Sequence, residues 1–296
     1  MSENLLEKYA KSFNWAGFFL PKEEYKKSLI VYNYCRTLDD IVDKNKELYL
    51  KFYNDPSGQY NGLSSKEILR MYKTHWKNRT DFEPLTRGMW KLFEKENISK
   101  KIVEDLFDGL ESDLSENIKI KTKKDLLTYC YRVAGTVGLM MSKILKVKNK
   151  EALKGAIDLG IAMQLTNIAR DVCEDKARNR KYIEHNFSSI REIIRESEIF
   201  YENSFNSIKH IPMRSRFSVI VARRIYRKIG DYILKQNNID NYNKASKIYV
   251  PIFEKVIQTF LSIIDFIKLL FIKNLNYNNQ LNHNILKQEI NLNERI

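Results

Sequence analysis

Glycine and proline are scarce in this chain, 10 and 5 among 296 residues. Turn-rich β folds need both in quantity, so the deficit favours long helices. Cysteine is scarcer still. Cys35, Cys130 and Cys173 are scattered without a CxxC pair. That argues against a disulfide frame or a zinc site and fits small core residues of a reduced, cytoplasmic protein. No stretch reaches 18 apolar residues free of charge. The nearest, VIQTFLSIIDFIKLLFI over residues 256–272, is interrupted by Asp265 and Lys268. As a helix it carries a broad apolar face, read first as core packing and second as contact with a bilayer surface. The opening MSENLLEKYAKSFNW lacks the charged-then-apolar pattern of an export signal. No Pro/Gly-rich linker or composition break appears, so residues 1–273 are read as one domain. Residues 274–296 follow as a polar, Asn-rich tail, loosely held.

Positive charge is what the chain has in excess. Lys and Arg number 51 against 37 Asp and Glu, for a net +14. The basic residues do not interleave with aromatics as in RNA-binding patterns, so no nucleic-acid partner is expected. An anionic membrane surface or anionic substrates fit the charge. The hydrophobic content of 43% is enough for a sizeable core.

Against that basic background, acids are concentrated twice. DDIVD holds Asp39, Asp40 and Asp43; DVCED holds Asp171, Glu174 and Asp175. The outer aspartates of each set are four apart, so on a helix they share a face about 6 Å from one another, a spacing at which like charges destabilise. A cation shared between the two sites accounts for both. Only oxygen ligands are on offer, which predicts Mg²⁺ or Mn²⁺. Such an ion completes its shell with water and substrate phosphate, so a diphosphate substrate is expected. Gln164, Asn167, Asp171 and Asp175 form one polar stripe on an otherwise apolar helix. Arg36 precedes the first acid set by one turn, and Arg170, Arg178, Arg180 and Lys181 bracket the second. Metal alone would not require these bases, whereas a metal-bound diphosphate would.

Apolar residues recur at helical spacing over residues 22–45, opened by Pro21. Residues 54–65 read as a turn-rich loop. Helices are expected from Ser65 to Asn78 and from Pro84 to Glu96. Another, capped by Ser99, carries FDGLESDL (107–114). Others span 122–147, 150–175, 188–208, 213–237 and 249–273. No strand or repeat is visible, and the class is all-α. In YCYRVAGTVGLMM (129–141), Gly135 and Gly138 each cost about 1 kcal/mol against Ala in a helix interior. They fit close helix packing, a substrate channel wall or a local break of the helix. The many aromatics suit either an apolar pocket or an ordinary core.

These segments resemble the squalene/phytoene synthase family of head-to-head prenyltransferases. KSFNWAGFFLP, YNYCRTLDDIVD, FDGLESDL, YCYRVAGTVGLMM and GIAMQLTNIARDVCEDKARNRKYI match in order and spacing, and the likeness runs from about Ser12 to Val256. Within the family, TNIARDV, VAGTVGLMM and IPMRSRFSVIVARRIYRKIGDYI look most like bacterial phytoene synthases. The resemblance implies a helical isoprenoid-synthase bundle around a central apolar cavity. In it two geranylgeranyl diphosphates would condense through prephytoene diphosphate to phytoene, in carotenoid biosynthesis, with Mg²⁺ or Mn²⁺ and without NADPH. By carry-over, Asp39, Asp40, Asp43, Asp171 and Asp175 would bind metal. Arg36, Arg170, Arg180 and Tyr182 would contact diphosphate, assisted by Gln164 and Asn167. Tyr129 would sit near the reacting carbons, with Asp39 and Asp171 also counted as catalytic. Two departures stand out: Asn179 replaces a frequent Gly, and NYNKASKIYVP matches its counterpart only loosely, so Tyr242 and Lys247 are not carried over.

Squalene or dehydrosqualene formation from farnesyl diphosphate is the alternative; squalene formation needs NADPH. A non-catalytic relative would show degenerate aspartate motifs, and both are intact here. A basic nucleic-acid-binding helical protein would leave the paired acids unexplained. The expected location is cytoplasmic, with peripheral contact at the inner membrane surface.

Overall fold

The computed structural model describes residues 11–43, 60, 62–80, 84–115, 120–245, 247–272 and 279–296, and all its regular structure is helical. The helices are α1 (Lys11–Gly17), α2 (Lys22–Val42), α3 (Ser65–Asn78), α4 (Pro84–Glu96), α5 (Lys101–Asp113), α6 (Lys123–Cys130) and α7 (Thr136–Ile144). They continue as α8 (Lys150–Arg170), α9 (Val172–Ala177), α10 (Phe187–Phe205), α11 (Met213–Leu234), α12 (Ile239–Lys244), α13 (Ile252–Phe271) and α14 (Gln280–Lys287). Most of the 54–65 loop lies outside the described residues.

The scarce prolines serve as helix starters. Pro21, Pro212 and Pro251 occupy the N-cap positions of α2, α11 and α13, where a missing N–H loses nothing. Side chains cap other starts. Ser64 with Glu67, and Thr122 with Asp125, close reciprocal capping boxes, while Asn149 accepts from Ala152 N at 2.9 Å.

Helix α8 is the axis. It is apolar on nearly every side, with Leu153, Ile157, Ile161 and Leu165 all buried, and a helix apolar all round belongs inside. It packs against α7, α10 and α11. Its crossing with the 122–147 region explains the glycines there. A Cβ on Gly138 would lie 2.2 Å from the Ala156 carbonyl oxygen, and one on Gly160 would lie 2.3 Å from that of Ala134. Between α6 and α7 the helix widens into one π turn, Tyr131–Gly135, a feature frequent at functional sites.

Two expectations need revision. The 274–296 tail was expected to be loosely held, but its described part is docked. Leu286, Ile290 and Leu292 are buried, and His283 Nε2 lies 2.8 Å from Asp158 Oδ1 inside the core. Alternating polar residues hid three apolar anchors. Helix α13, read first as a packing helix, is inverted. Lys255, Gln258, Ser262 and Asp265 face inward, while Phe253, Ile257, Phe260, Ile264, Ile267 and Phe271 are exposed. Arg224 on α11 accounts for the inward polarity, donating to Gln258 Oε1 at 3.0 Å and to Asp265 Oδ2 at 2.6 Å.

Candidate active site

The bundle encloses a cavity of about 1090 Å³, at the upper end of ligand-pocket size. One pole is polar, lined by Arg36, Asp39 and Asp43 from α2 and its C-cap, and by Asn167, Asp171 and Asp175 from α8, α9 and the residue between them. Elsewhere the walls are apolar, with Val133, Val137, Met141, Leu159 and Met163. The two acid sets therefore share one cavity, as their repetition in the sequence implies.

On α2, Asp39 opens into the cavity with its side chain 52% accessible. The surrounding protein still deprives it of bulk water. Burial, with Asp43 adding repulsion against the opposing pull of Arg36, pushes its pKa up to about 7. Asp40, expected as a ligand, does not line the cavity; it is buried and paired with Arg36. The spacing could not separate the two neighbours, which project about 100° apart on a helix. Asp43 ends the helix and is gripped from the opposite side: Arg180 Nη1 lies 2.7 Å from its Oδ1 and Arg178 Nη1 3.0 Å from its Oδ2. These two arginines physically join the acid sets. The turn that presents them places Asn179 at φ +57°, a left-handed conformation that Gly or Asn adopts readily. The substitution of Asn for Gly there keeps the geometry.

The expected 150–175 helix breaks at Asp171. The Tyr242 hydroxyl lies 2.9 Å from the Ala169 carbonyl oxygen and 2.7 Å from that of Arg170, and accepts from Val172 N at 3.3 Å. An inserted side chain that takes over backbone hydrogen bonds ends a helix. Tyr242 thereby sets the angle between α8 and α9, a structural role that a loose motif match could not reveal. Arg170 donates to both Asp171 oxygens, at 2.7 and 2.6 Å. Asp175 is pushed up to about 7 by burial and by Asp171. Lys247, also not carried over, lines the cavity. Its Nζ is 2.7 Å from Glu174 Oε2 and 3.8 Å from Asp171 Oδ1.

Asp113 was missed altogether, although it lies within FDGLESDL. Its Oδ2 accepts from the Tyr129 hydroxyl at 3.0 Å and its Oδ1 from the Tyr182 hydroxyl at 2.7 Å. The two tyrosine rings stack with centroids 4.8 Å apart. Burial pushes Asp113 up to about 6 against the opposing effect of these hydrogen bonds. Burial likewise raises both phenols well above their ordinary range. They are hydrogen-bond donors at neutral pH, locked in place by Asp113.

The donor set fits a hard divalent ion. Burial and a neighbouring carboxylate each push Asp39 and Asp175 up to about 7 despite the adjacent arginines, a repulsion that a bound cation would relieve. The Asn167 side-chain oxygen is buried without a hydrogen-bond partner among the described residues, although its amide donates to Gln164 Oε1 at 3.3 Å. Among the described residues no three His, Cys, Asp or Glu side chains form a closed ion cage.

An all-helical bundle with an acid-and-arginine pole opening onto an apolar cavity is the architecture of an enzyme for an oily diphosphate. The squalene/phytoene synthase family model matches residues 6–185. The 15-cis-phytoene synthase of Enterobacter agglomerans is 30% identical over 247 residues, covering 76% of this chain and 82% of that one. The 15-cis-phytoene synthase of Synechococcus elongatus is 26% identical, covering 84% and 87%. A solved dehydrosqualene synthase with bound ligand aligns with a TM-score of 0.72 at 27% identity, over 90% of this chain and 95% of that one. The chain belongs to the squalene/phytoene synthase family and is a prenyltransferase.

Proposed function

We propose that this enzyme joins two geranylgeranyl diphosphates head to head through prephytoene diphosphate to phytoene, with loss of both diphosphates. The observation that carries this reading is that relatives named phytoene synthase match three quarters or more of the chain, in bacteria and cyanobacteria alike.

Asp39, Asp43, Asp171 and Asp175 would hold Mg²⁺ or Mn²⁺, with Gln164 and Asn167 assisting. The ion would supply neutralising charge for the leaving diphosphate. Arg36, Arg170, Arg178, Arg180 and Lys247 would take the remaining anionic oxygens. They meet the substrate already oriented by carboxylates, so little reorganisation is needed as charge develops. Tyr129, fixed by Asp113 and Tyr182, would face the reacting carbons. The apolar walls would keep water from the cationic intermediates. The exposed apolar face of α13 would rest on an anionic bilayer, into which substrate tails and product partition. Ile252 and Lys255 at the start of that helix also line the cavity. No described helix is long and apolar enough to cross a membrane.

The alternative, dehydrosqualene from farnesyl diphosphate, draws on the solved synthase above. One assay separates the two: the protein is incubated with Mg²⁺ and either diphosphate, with and without NADPH, and the hydrocarbon is identified. Phytoene from geranylgeranyl diphosphate without NADPH is expected. A product formed only from farnesyl diphosphate would overturn the reading.

A further inference from the structure

Cys173 was expected in the core but lies exposed on α9, between the two aspartates of the second acid set. It is part of a cluster drawn from three separate elements. Cys173 Sγ is 3.7 Å from His185 Nε2 and 3.2 Å from Asn243 Oδ1, and Oδ1 is 2.9 Å from the same Nε2. His185 belongs to the loop before α10, and Asn243 to α12.

A thiol, an imidazole and a carboxamide also occur together in cysteine hydrolases. There the orienting carboxamide holds the ring nitrogen remote from sulfur, so that the proton can be relayed. Here sulfur and carboxamide oxygen both approach Nε2, and the three ligand-type atoms lie within 3.7 Å of one another. Three such atoms this close together have instead the spacing of ligands around an ion. A tetrahedral zinc with bonds of about 2.3 Å to sulfur and about 2.0 Å to nitrogen holds those two ligands roughly 3.5 Å apart, close to the spacing present. Thiolate and imidazole favour a borderline-soft cation over Mg²⁺.

We propose that Cys173, His185 and Asn243 form a binding site for a divalent cation of the zinc class, separate from the carboxylate pole, with water completing the shell. Binding releases the thiol proton. It ties α9, which carries Glu174 and Asp175, to the loop that follows Arg180 and to α12. Fixing α9 beside the diphosphate site, the ion slows turnover. The spacing in sequence did not expose the site, since its ligands are 12 and 58 residues apart.

The test uses the full-length protein and Co²⁺ as a spectroscopic substitute in the presence of excess Mg²⁺. A thiolate-to-cobalt charge-transfer band should saturate at one equivalent. It should vanish in Cys173→Ser and require at least tenfold more Co²⁺ in His185→Gln. No band, or one unchanged in His185→Gln, would overturn the site, because a lone surface thiol would then suffice. Zn²⁺ at saturating Mg²⁺ should slow wild-type turnover, and inhibition should need at least tenfold more Zn²⁺ in both variants. Equal inhibition of all three proteins would place zinc at the aspartates and overturn the effect on turnover. The cobalt band does not depend on which hydrocarbon the enzyme makes.

Discussion

Arg295, next to last in the chain, is joined to Asp105 of α5 by two hydrogen bonds, Nε to Oδ2 and Nη2 to Oδ1, each 2.9 Å. The same carboxylate accepts from the hydroxyl of Tyr131 at 2.9 Å, and Tyr131 opens the π turn two residues after Tyr129. The C-terminal segment thus braces the wall that presents Tyr129, the tyrosine proposed to face the reacting carbons. Arg295→Ala leaves a buried carboxylate with a neutral donor only, and should cost about 2 kcal/mol in urea unfolding. Tyr131→Phe should cost about 1 kcal/mol. An unchanged midpoint in Arg295→Ala would show that the tail does not brace the wall.

The crossing of α7 and the π turn with α8 leaves no room for a methyl group. Gly138→Ala and Gly160→Ala should each destabilise by about 3 kcal/mol, since the obstacle is backbone and cannot rotate away. Gly88 in α4 is the control. Its added Cβ meets only Ile30 Cγ2 at 3.8 Å, so Gly88→Ala should stabilise by about 0.5–1 kcal/mol through helix propensity. Thermal unfolding of the three variants tests the contrast, and equal effects would contradict it.

Burial and Asp43 raise the folded pKa of Asp39 from 3.8 to about 7. For a raised carboxyl, the stabilising contribution is complete below about pH 4 and is lost as pH climbs through about 7. Metal-free Asp39→Asn should match wild type at pH 4 and exceed it by about 1 kcal/mol at pH 7.5, a figure reduced for screening by cavity water. Mg²⁺ should stabilise wild type more than the variant. A variant less stable than wild type at pH 7.5 without metal would show that the charge is not strained.

Helix α13 should seat the protein on anionic vesicles. Flotation at low salt should recover wild type with the lipid, with basic residues near the surface contributing about 1 kcal/mol each. Phe260→Asp with Ile264→Asp should reduce recovery at least tenfold. Wild type remaining in the soluble fraction with anionic and neutral vesicles alike would rule out this contact.

Much of this molecule was legible from local pattern. Helical periodicity placed α2 and α3 within a few residues. The twofold concentration of acids on a basic chain located both cavity walls, because strong local repulsion has few explanations. Three things were not legible, for one physical reason. Asp113 gains its meaning only from Tyr129 and Tyr182, Tyr242 from carbonyls some 70 residues earlier, and the inward polarity of α13 from Arg224. Each depends on a partner that folding alone brings near.

The central claim is that the Asp39 and Asp171 walls act as one metal-dependent diphosphate site. It is tested most directly by turnover of geranylgeranyl diphosphate in wild type, Asp39→Asn and Asp171→Asn, with Mg²⁺ or with EDTA, alongside circular dichroism. Wild type should turn over only with the divalent ion, and each variant should lose nearly all activity while keeping its helical signal. Full turnover in EDTA, or by either variant, would contradict the claim.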